Sequence, residues 1–238
     1  MTYLDLERIN QIDHVAFQSQ KPYPWINPEN LLTEEGFQRL LDTLPDLSLF
    51  EQLFGKSRKY GQQSHDRYPL EYHDDLAVPQ PWTQFVGELR GEAYRAFLSK
   101  LLGTKSFELS FHWHYTPNGC SVSPHCDVKR KLGSHIFYFN TEKDWDPAWG
   151  GETAILDDGG RFGYQSAPKF EEFDRVMGSV TLGNRSLLFA RKEQSWHGVR
   201  EIRCPEGALR KVFIVVINRW SWVHALGSRL FGYHAGGY

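Results

Sequence analysis

The spacing of apolar residues changes abruptly at Gly103, and this change constrains the fold more than any other feature of the chain. Before it, the segment "PWTQFVGELRGEAYRAFLSKLLG" (81–103) carries apolar residues at helical intervals: Trp82, Phe85, Val86, Leu89, Ala93, Ala96, Phe97 and Leu101. After it, "SFELSFHWHY" (106–115) alternates apolar and polar residues, as a half-buried strand does. The sequence therefore predicts one long helix, begun near Pro81 and ended at Gly103, followed by β-structure.

Further strand patterns follow this first one, separated by turns rich in Gly, Pro and Asp. They are "SHIFYFN", "GETAIL", "SVTLGNRSLLFA", "SWHGVREIR" and "LRKVFIVVINRW". The first hundred residues favour helix and loop, including a helix in "TEEGFQRLLDTL" capped by Thr33. Helices followed by a run of strands predict an α+β domain whose second half is a β-sandwich or barrel. We expect a single domain with helical support over 1–105, a β-core over 106–222 and a tail over 223–238.

The composition narrows the class of partner and compartment. The chain has 238 residues, 40% hydrophobic and 24% charged, with a formal net charge of −2. This charge gives no reason to expect a nucleic-acid or anionic-membrane partner, and no apolar run is long enough to span a bilayer. The N-terminus lacks the pattern of a signal peptide, and the 3 cysteines form neither an even disulfide framework nor a zinc motif. We expect a cytoplasmic protein; its oligomeric state stays open.

A metal site is indicated by "HCDV" (125–128) together with "SWHGV" (195–199). Residues i and i+2 of a strand point the same way, about 7 Å apart, so His125 and Asp127 can reach one ion. His197 from another strand would complete two imidazoles and one carboxylate, the ligand set of non-haem Fe(II) oxygenases. A second His-x-Asp, His73 to Asp75, lies in a loop without strand context, and we interpret it as coincidental.

The surroundings of these residues resemble a known family. The ordered segments "YTPNGCSVSPHCD", "HIFYFNTEKDWDPAWGGETAIL", "RSLLFARKEQSWHGVREI" and "LRKVFIVVINRW" resemble the iron- and 2-oxoglutarate-dependent oxygenases. Within them, the likeness is to the prolyl-hydroxylase branch, which includes the hypoxia-factor and collagen prolyl hydroxylases. It covers residues 107–220. The resemblance implies a double-stranded β-helix, or jelly roll, preceded by packing helices.

The resemblance also implies roles for individual residues. His125, Asp127 and His197 match the catalytic iron ligands. Tyr115 matches a tyrosine that lines the cofactor pocket, and Tyr138 in "FYFN" matches one whose hydroxyl contacts the 2-oxoglutarate carboxylate.

The distal carboxylate of 2-oxoglutarate needs a cation, and the planar fork of arginine suits it. Arg200 would face away from His197 on one strand, and Arg203 would lie about 20 Å along it. Arg210 opens the next strand, where the family places its Arg or Lys. We therefore predict Arg210 as the cofactor-binding cation, with Lys211 as the alternative.

The resemblance implies Fe(II), 2-oxoglutarate as co-substrate, O2, and ascorbate as a stimulant. Zn, Ni, Co or Mn could replace iron during aerobic purification. The implied reaction converts 2-oxoglutarate to succinate and CO2 while a C–H bond becomes an alcohol. Related halogenases have a small residue in place of the carboxylate ligand, so Asp127 favours hydroxylation.

Two other functions are compatible with a jelly roll, and each predicts a different observation. A non-catalytic jelly-roll binding module, zinc-loaded or metal-free, would release no succinate. A cofactor-independent cupin-type oxygenase would not need Arg210. Among substrates, the resemblance points first to a prolyl residue of a peptide or protein, with free amino acids and small natural products as the alternative.

Specificity is expected in two long polar segments, 56–75 and 157–178, because loops on a rigid scaffold carry recognition. We predict that both border the metal site and are more mobile than the barrel. Residues that could bind a polar or carboxylate-bearing substrate are Arg58, Lys59, Tyr60, Arg67 and Tyr68 in the first segment, and Arg161, Phe162 and Tyr164 in the second.

Overall fold

The computed structural model describes residues 2–56 and 58–220. Within them, the α-helices are α1 (Leu6–Gln11), α2 (His14–Ser19), α3 (Glu34–Asp42), α4 (Gln80–Arg90) and α5 (Glu92–Leu102). The strands are β1 (Trp25–Ile26), β2 (Tyr68–Glu71), β3 (Phe107–Thr116), β4 (Val122–His125), β5 (Lys131–Tyr138), β6 (Ala154–Asp157), β7 (Arg175–Gly178), β8 (Ser186–Ala190), β9 (His197–Val199) and β10 (Arg210–Arg219). The predicted tail, 223–238, lies outside the described residues.

The strands form two antiparallel sheets, and this arrangement confirms the predicted double-stranded β-helix. The major sheet has the order β1-β8-β5-β10-β3-β2, and the minor sheet has the order β4-β9-β6-β7. Chain neighbours such as β4 and β5 lie in different sheets, so the chain winds between the two layers. The two sheets enclose the barrel interior, and the helices cover the outer face of the major sheet.

Alternation along the long strands separates two apolar layers. On β3 and β10, Phe111, Trp113 and Phe213 face the helices and pack with Trp82 and Phe85 of α4. The intervening residues of both strands point into the barrel, because successive side chains of a strand point to opposite faces. The outer layer therefore supplies the main core, while the inner face is free to carry polar groups.

The segment predicted as one long helix is two helices, α4 and α5, that meet at Gly91. Gly91 has an extended backbone, with φ −68° and ψ 165°, and its N–H donates to the Glu88 carbonyl at 2.9 Å. Glycine is costly in a helix interior, by about 1 kcal/mol relative to alanine, and here it breaks the helix. The apolar spacing continues past the break because both helices pack on the same core. The predicted ends are otherwise correct: Pro81 lies in the first turn, and Gly103 is a left-handed C-cap.

Several strand boundaries differ from the sequence prediction. β1 and β2 lie in the part expected to be helix and loop, and β7 lies within the segment 157–178. These short strands pair at or near sheet edges, where partner strands supply the order that their own sequences do not. The expected strands around 179–190 and 195–203 shorten to β8 and β9.

Every helix within the described ranges is too short or too polar to cross a bilayer.

Candidate active site

Three potential ligands converge where two strands of the minor sheet meet. His125 ends β4, His197 begins β9, and the two residues are partners in the antiparallel register. Asp127 follows two residues beyond β4, so the expectation that it lies on the same strand as His125 is corrected. One ligand atom from each residue lies within 4.8 Å of the others. Among the described residues this is the one group of three or more His, Cys, Asp or Glu with that geometry.

Backbone carbonyls fix the orientation of both imidazoles. Nδ1 of His125 donates to the Ser123 carbonyl at 3.0 Å, and Nδ1 of His197 donates to the Ser195 carbonyl at 2.9 Å. Each ring therefore carries its proton on Nδ1 and keeps the Nε2 lone pair available. This is the usual arrangement around metal-binding histidines, whose second nitrogen donates to a carbonyl or carboxylate. Burial lowers the pKa of both imidazoles, which favours the neutral, ligating form.

Asp127 supplies a buried carboxylate, and only one of its two oxygens has a hydrogen-bond partner. Its Oδ1 accepts from Lys131 Nζ at 2.8 Å, while its Oδ2 is buried and has no hydrogen-bond partner. Burial alone would raise the pKa of Asp127, but the neighbouring Lys131 ammonium opposes it, and the pKa lies below its ordinary value. Two imidazole nitrogens and an ionised oxygen thus face one another, and this donor set fits a divalent transition metal.

These residues border a cavity of about 130 Å³ inside the barrel. Its walls include Ser134 and Ile136 of β5, Phe189 of β8 and Ile214 of β10. His114 of β3 also lines it, opposite Val212 in the register with β10. An apolar enclosure with a few polar groups is typical of a small-molecule site.

Arg210 lies at the wall of the same cavity and is 7% exposed. Its Nε donates to the Gly151 carbonyl at 2.5 Å, and its Nη2 donates to Thr153 Oγ1 at 3.1 Å. No carboxylate of the described residues lies within ion-pair distance of it. A buried guanidinium held by neutral groups is suited to bind the carboxylate of a ligand.

The other candidate cations lie elsewhere. Lys211, next along β10, points to the opposite face and donates to Asp144 at 3.0 Å. Arg200 and Arg203 pair with Glu171 and Glu201 on the surface. Of the four candidates, only Arg210 reaches the cavity.

Tyr138 is fully buried beside Arg210, whose guanidinium carbon lies 5.7 Å from the centre of the ring. Its hydroxyl bonds to Ser179 Oγ at 2.8 Å and donates to Thr153 Oγ1 at 3.1 Å. Thr153 lines the cavity and Tyr138 does not, so the Thr153 hydroxyl separates the phenol from the space where a ligand would sit.

The prediction that Tyr115 lines the cofactor pocket does not agree with the structure. Its side chain lies on the helix-facing side of β3, stacked on Phe50 at 4.2 Å, and its hydroxyl donates to the Pro45 carbonyl at 3.2 Å. His114, one residue earlier, faces the cavity instead. Successive side chains of β3 point to opposite faces of the sheet. Tyr115 shares its face with the core residues Phe111 and Trp113, so it points to the helices and His114 points to the cavity.

Several site residues were not predicted. Lys131 and Thr153 have no recognisable motif, although Lys131 follows Asp127 by four residues. His65 lies close to the ligands: its ring centre is 4.7 Å from that of His125, and its Nε2 bonds to Ser123 Oγ at 3.1 Å. It comes from a segment distant in sequence, so no local pattern could indicate it.

The two long segments differ in how they approach the site. The first contributes Arg58, His65 and Arg67 to the cavity wall. The second contributes no wall residue to this cavity, and its Arg161 binds Asp174 at the surface. The segments nevertheless meet each other, since Gln165 donates to the Tyr60 hydroxyl at 3.3 Å.

Other predicted loop residues have structural roles. Phe162 packs with Phe173 and Trp196, and Tyr164 lies under the guanidinium of Arg191. Tyr68 belongs to β2 and contacts Phe54. The second His-x-Asp also lies apart from the site: Asp74 pairs with Arg90 at the surface.

Comparison with known proteins agrees with this geometry. Residues 111–222 match the model of the 2OG-Fe(II) oxygenase superfamily. A search of curated proteins gives no significant match.

Solved structures share the fold at low sequence identity. A Pseudomonas putida prolyl-4-hydroxylase has 13% identity and a TM-score of 0.56, over 87% of this chain and 98% of that one. A Trichoplax adhaerens prolyl hydroxylase, solved with a hypoxia-inducible-factor peptide fragment, has 13% identity and a TM-score of 0.63, over 90% of each chain. The carbocyclase SnoK of nogalamycin biosynthesis has 11% identity and a TM-score of 0.59, over 97% of this chain and 96% of that one.

The family match spans β4 to β10 and most of β3, and the carboxylate, imidazole and guanidinium groups that the chemistry requires surround one cavity. The match over residues 111–222 identifies an oxygenase domain of the 2OG-Fe(II) type, whose chemistry uses Fe(II), 2-oxoglutarate and dioxygen.

Proposed function

We propose that this protein is a hydroxylase in which His125, Asp127 and His197 bind Fe(II) and Arg210 binds the distal carboxylate of 2-oxoglutarate. The observation that carries the proposal is Asp127 Oδ2, a buried carboxylate oxygen without a hydrogen-bond partner that faces two oriented histidines. Leaving such an atom unsatisfied costs about 1 to 3 kcal/mol or more for a charged group. A divalent metal removes this penalty.

The protein's own groups then position the reactants. The Ser123 and Ser195 carbonyls hold the imidazoles, and Lys131 holds the second oxygen of Asp127. Bound Fe(II), with 2-oxoglutarate and dioxygen, would supply oxidation of a C–H bond to an alcohol, with release of succinate and CO2. The apolar walls, including Ile136 and Ile214, restrict water near the reacting atoms. A carboxylate at position 127 supports hydroxylation over halogenation.

The test is metal binding and co-substrate turnover. Purified protein with Fe(II) and 2-oxoglutarate should release succinate, and Mn(II) should bind with a distinct electron paramagnetic resonance signal. Asp127→Ala should lower the Mn(II) affinity at least tenfold, because it deletes the single charged ligand. The matched control is Asp174→Ala, which removes an exposed carboxylate bound to Arg161. Equal metal affinity in both variants, or no succinate from the wild type, would contradict the proposal.

For the substrate, the structure favours a small molecule. Arg58 and His65 line the cavity from the first segment, and a hydrogen bond between Tyr60 and Gln165 joins the two segments. Joined segments leave less room for an extended peptide to cross the site. We therefore propose oxidation of a small molecule such as a free amino acid or a natural product.

A prolyl residue of a peptide or protein is the second candidate. It is supported by the fold shared with the Trichoplax enzyme, whose structure includes a peptide fragment. Succinate release measured with a panel of proline-containing peptides and a panel of free amino acids separates the two. Stimulation by peptides alone would reject the small-molecule proposal.

A further inference from the structure

A histidine outside the ligand set lies against one of the proposed ligands. His65 belongs to the first long segment, is 7% exposed and lines the cavity. Its ring centre is 4.7 Å from that of His125, and the two ring planes are inclined by 57°. Among the described residues, the converging ligand atoms come from His125, Asp127 and His197 and not from His65. The proposed chemistry therefore gives this buried imidazole no role of its own.

Ser123 connects His65 to the ligand. Its hydroxyl bonds to His65 Nε2 at 3.1 Å, and its carbonyl accepts from His125 Nδ1 at 3.0 Å. A hydroxyl can both donate and accept, so the first bond forms with either tautomer of a neutral imidazole. His65 therefore holds the residue that orients the His125 ring.

The sheet alone constrains this part of β4 weakly. β4 is an edge strand of the minor sheet, and β9 is its one neighbour there. The register between the two strands shifts just before His125, where Ser123 and Pro124 lie opposite Gly198 alone. Such a bulge disrupts the ladder, and proline has no N–H to donate to it. The bond from the Ser123 side chain to His65 supplies a constraint that the ladder does not.

His65 is itself fixed in place. Arg67 Nη1 donates to the His65 carbonyl at 2.7 Å. The backbone of Arg67 exchanges two hydrogen bonds of 3.0 Å with Leu53, and β2 begins at the next residue, Tyr68. A paired backbone that leads into the major sheet thus holds the imidazole beside Ser123.

We propose that His65 is a positioning residue: through Ser123 it sets the orientation of the His125 ring, and it links the first long segment to the proposed metal site. This inference rests on the function proposed above. Loss of a group that directly holds a metal ligand typically lowers metal affinity by about 10- to 100-fold. His65 acts one residue further out, so its loss should lower the affinity by about fivefold and alter the coordination geometry.

The experiment titrates the full-length protein with Co(II) alone, whose visible absorption reports affinity and coordination geometry together. His65→Phe keeps a ring against His125 but cannot bond to Ser123, and Ser123→Ala removes the hydroxyl while keeping the carbonyl. Each variant should weaken Co(II) binding by about fivefold and shift the absorption bands. The double variant should bind no more weakly than either single variant, because both substitutions remove the same bond.

The matched control is His135→Phe. His135 is fully buried on the helix-facing side of β5, and its Nδ1 bonds to the Tyr94 hydroxyl at 2.8 Å. The substitution removes the same kind of bond, imidazole to hydroxyl, away from the cavity. It should leave the Co(II) affinity and spectrum unchanged, which separates a positioning effect from a general loss of packing.

Wild-type Co(II) affinity and spectrum in both His65→Phe and Ser123→Ala would overturn the positioning role alone. Additive losses in the double variant would also overturn it, because the two residues would then act separately. A wild type that does not bind Co(II) would overturn the proposed metal site as well, so the two failures are distinguishable. If His65→Phe does not fold, Ser123→Ala, which removes a single oxygen, decides by the same criterion.

Discussion

At the scale of single residues, Arg210 and Lys211 provide a matched pair on one strand. Their side chains point to opposite faces, Arg210 into the cavity and Lys211 to Asp144. Loss of one partner of a buried charge pair costs about 3 to 5 kcal/mol. We therefore expect Arg210→Ala to raise the KM for 2-oxoglutarate by roughly a hundredfold or more, at 1.4 kcal/mol per factor of ten.

The control for Arg210 is Lys211→Gln, in which the KM for 2-oxoglutarate should stay close to that of the wild type. Steady-state succinate release over a range of 2-oxoglutarate concentrations measures both variants. A raised KM in the lysine variant with a normal KM in the arginine variant would transfer the role to Lys211.

At the scale of elements, the faces of the barrel strands distinguish two tyrosines. The Tyr115 hydroxyl donates to the Pro45 carbonyl in the outer core, whereas the Tyr138 hydroxyl joins the Thr153 and Arg210 network. Removing either hydroxyl should lower the free energy of unfolding by about 1 kcal/mol. Tyr138→Phe should also raise the KM for 2-oxoglutarate by about fivefold, the same order of energy, and Tyr115→Phe should leave it unchanged. A raised KM in Tyr115→Phe would show that β3 presents the other face to the cofactor.

The separation of β4 and β9 is a second property at this scale, because these strands carry His125 and His197. A Cβ at Gly198 would lie 2.7 Å from the Val122 carbonyl oxygen and 2.8 Å from Phe170 Cζ. Gly198→Ala should therefore force the strands apart, lower the stability by about 1 to 3 kcal/mol and weaken Mn(II) binding.

Gly87→Ala is the matched control for Gly198→Ala. Gly87 lies in α4, where a Cβ would meet no atom within 4 Å, and alanine there should stabilise the protein by up to about 1 kcal/mol. Urea unfolding and Mn(II) titration measure both variants. Unchanged metal affinity in Gly198→Ala would contradict the link between strand spacing and the site.

At the scale of the whole molecule, the helical layer stabilises the sheet that carries Arg210. Trp82 of α4 is fully buried, packs against Trp113, Phe139 and Phe213, and donates its indole N–H to the Thr43 carbonyl at 2.9 Å. Trp82→Ala should lower the free energy of unfolding by about 3 to 5 kcal/mol. Val15→Ala, at a position 64% exposed, should change it by less than about 0.5 kcal/mol. Denaturant unfolding gives both values, and similar stabilities would exclude the helical layer as the main core.

The sequence by itself determined the class of the fold and indicated the three candidate metal ligands. The change of apolar spacing at Gly103 separates helices from strands because each element must keep one face in the core, and that requirement is local. His125, Asp127 and His197 could be named because two short patterns carry them. The family resemblance, which places an arginine or lysine at the start of this strand, pointed to Arg210 and kept Lys211 as the alternative.

The tertiary structure alone decided which side chains share the cavity. Tyr115 and His114 both alternate along β3, and only the packing of the helices shows which face is interior. His65 reaches His125 from a segment distant in sequence, a contact that no local pattern records. The cations of the cavity wall likewise come together only in the folded chain, because Arg58 and Arg67 of one segment meet Lys131 and Arg210 from distant strands.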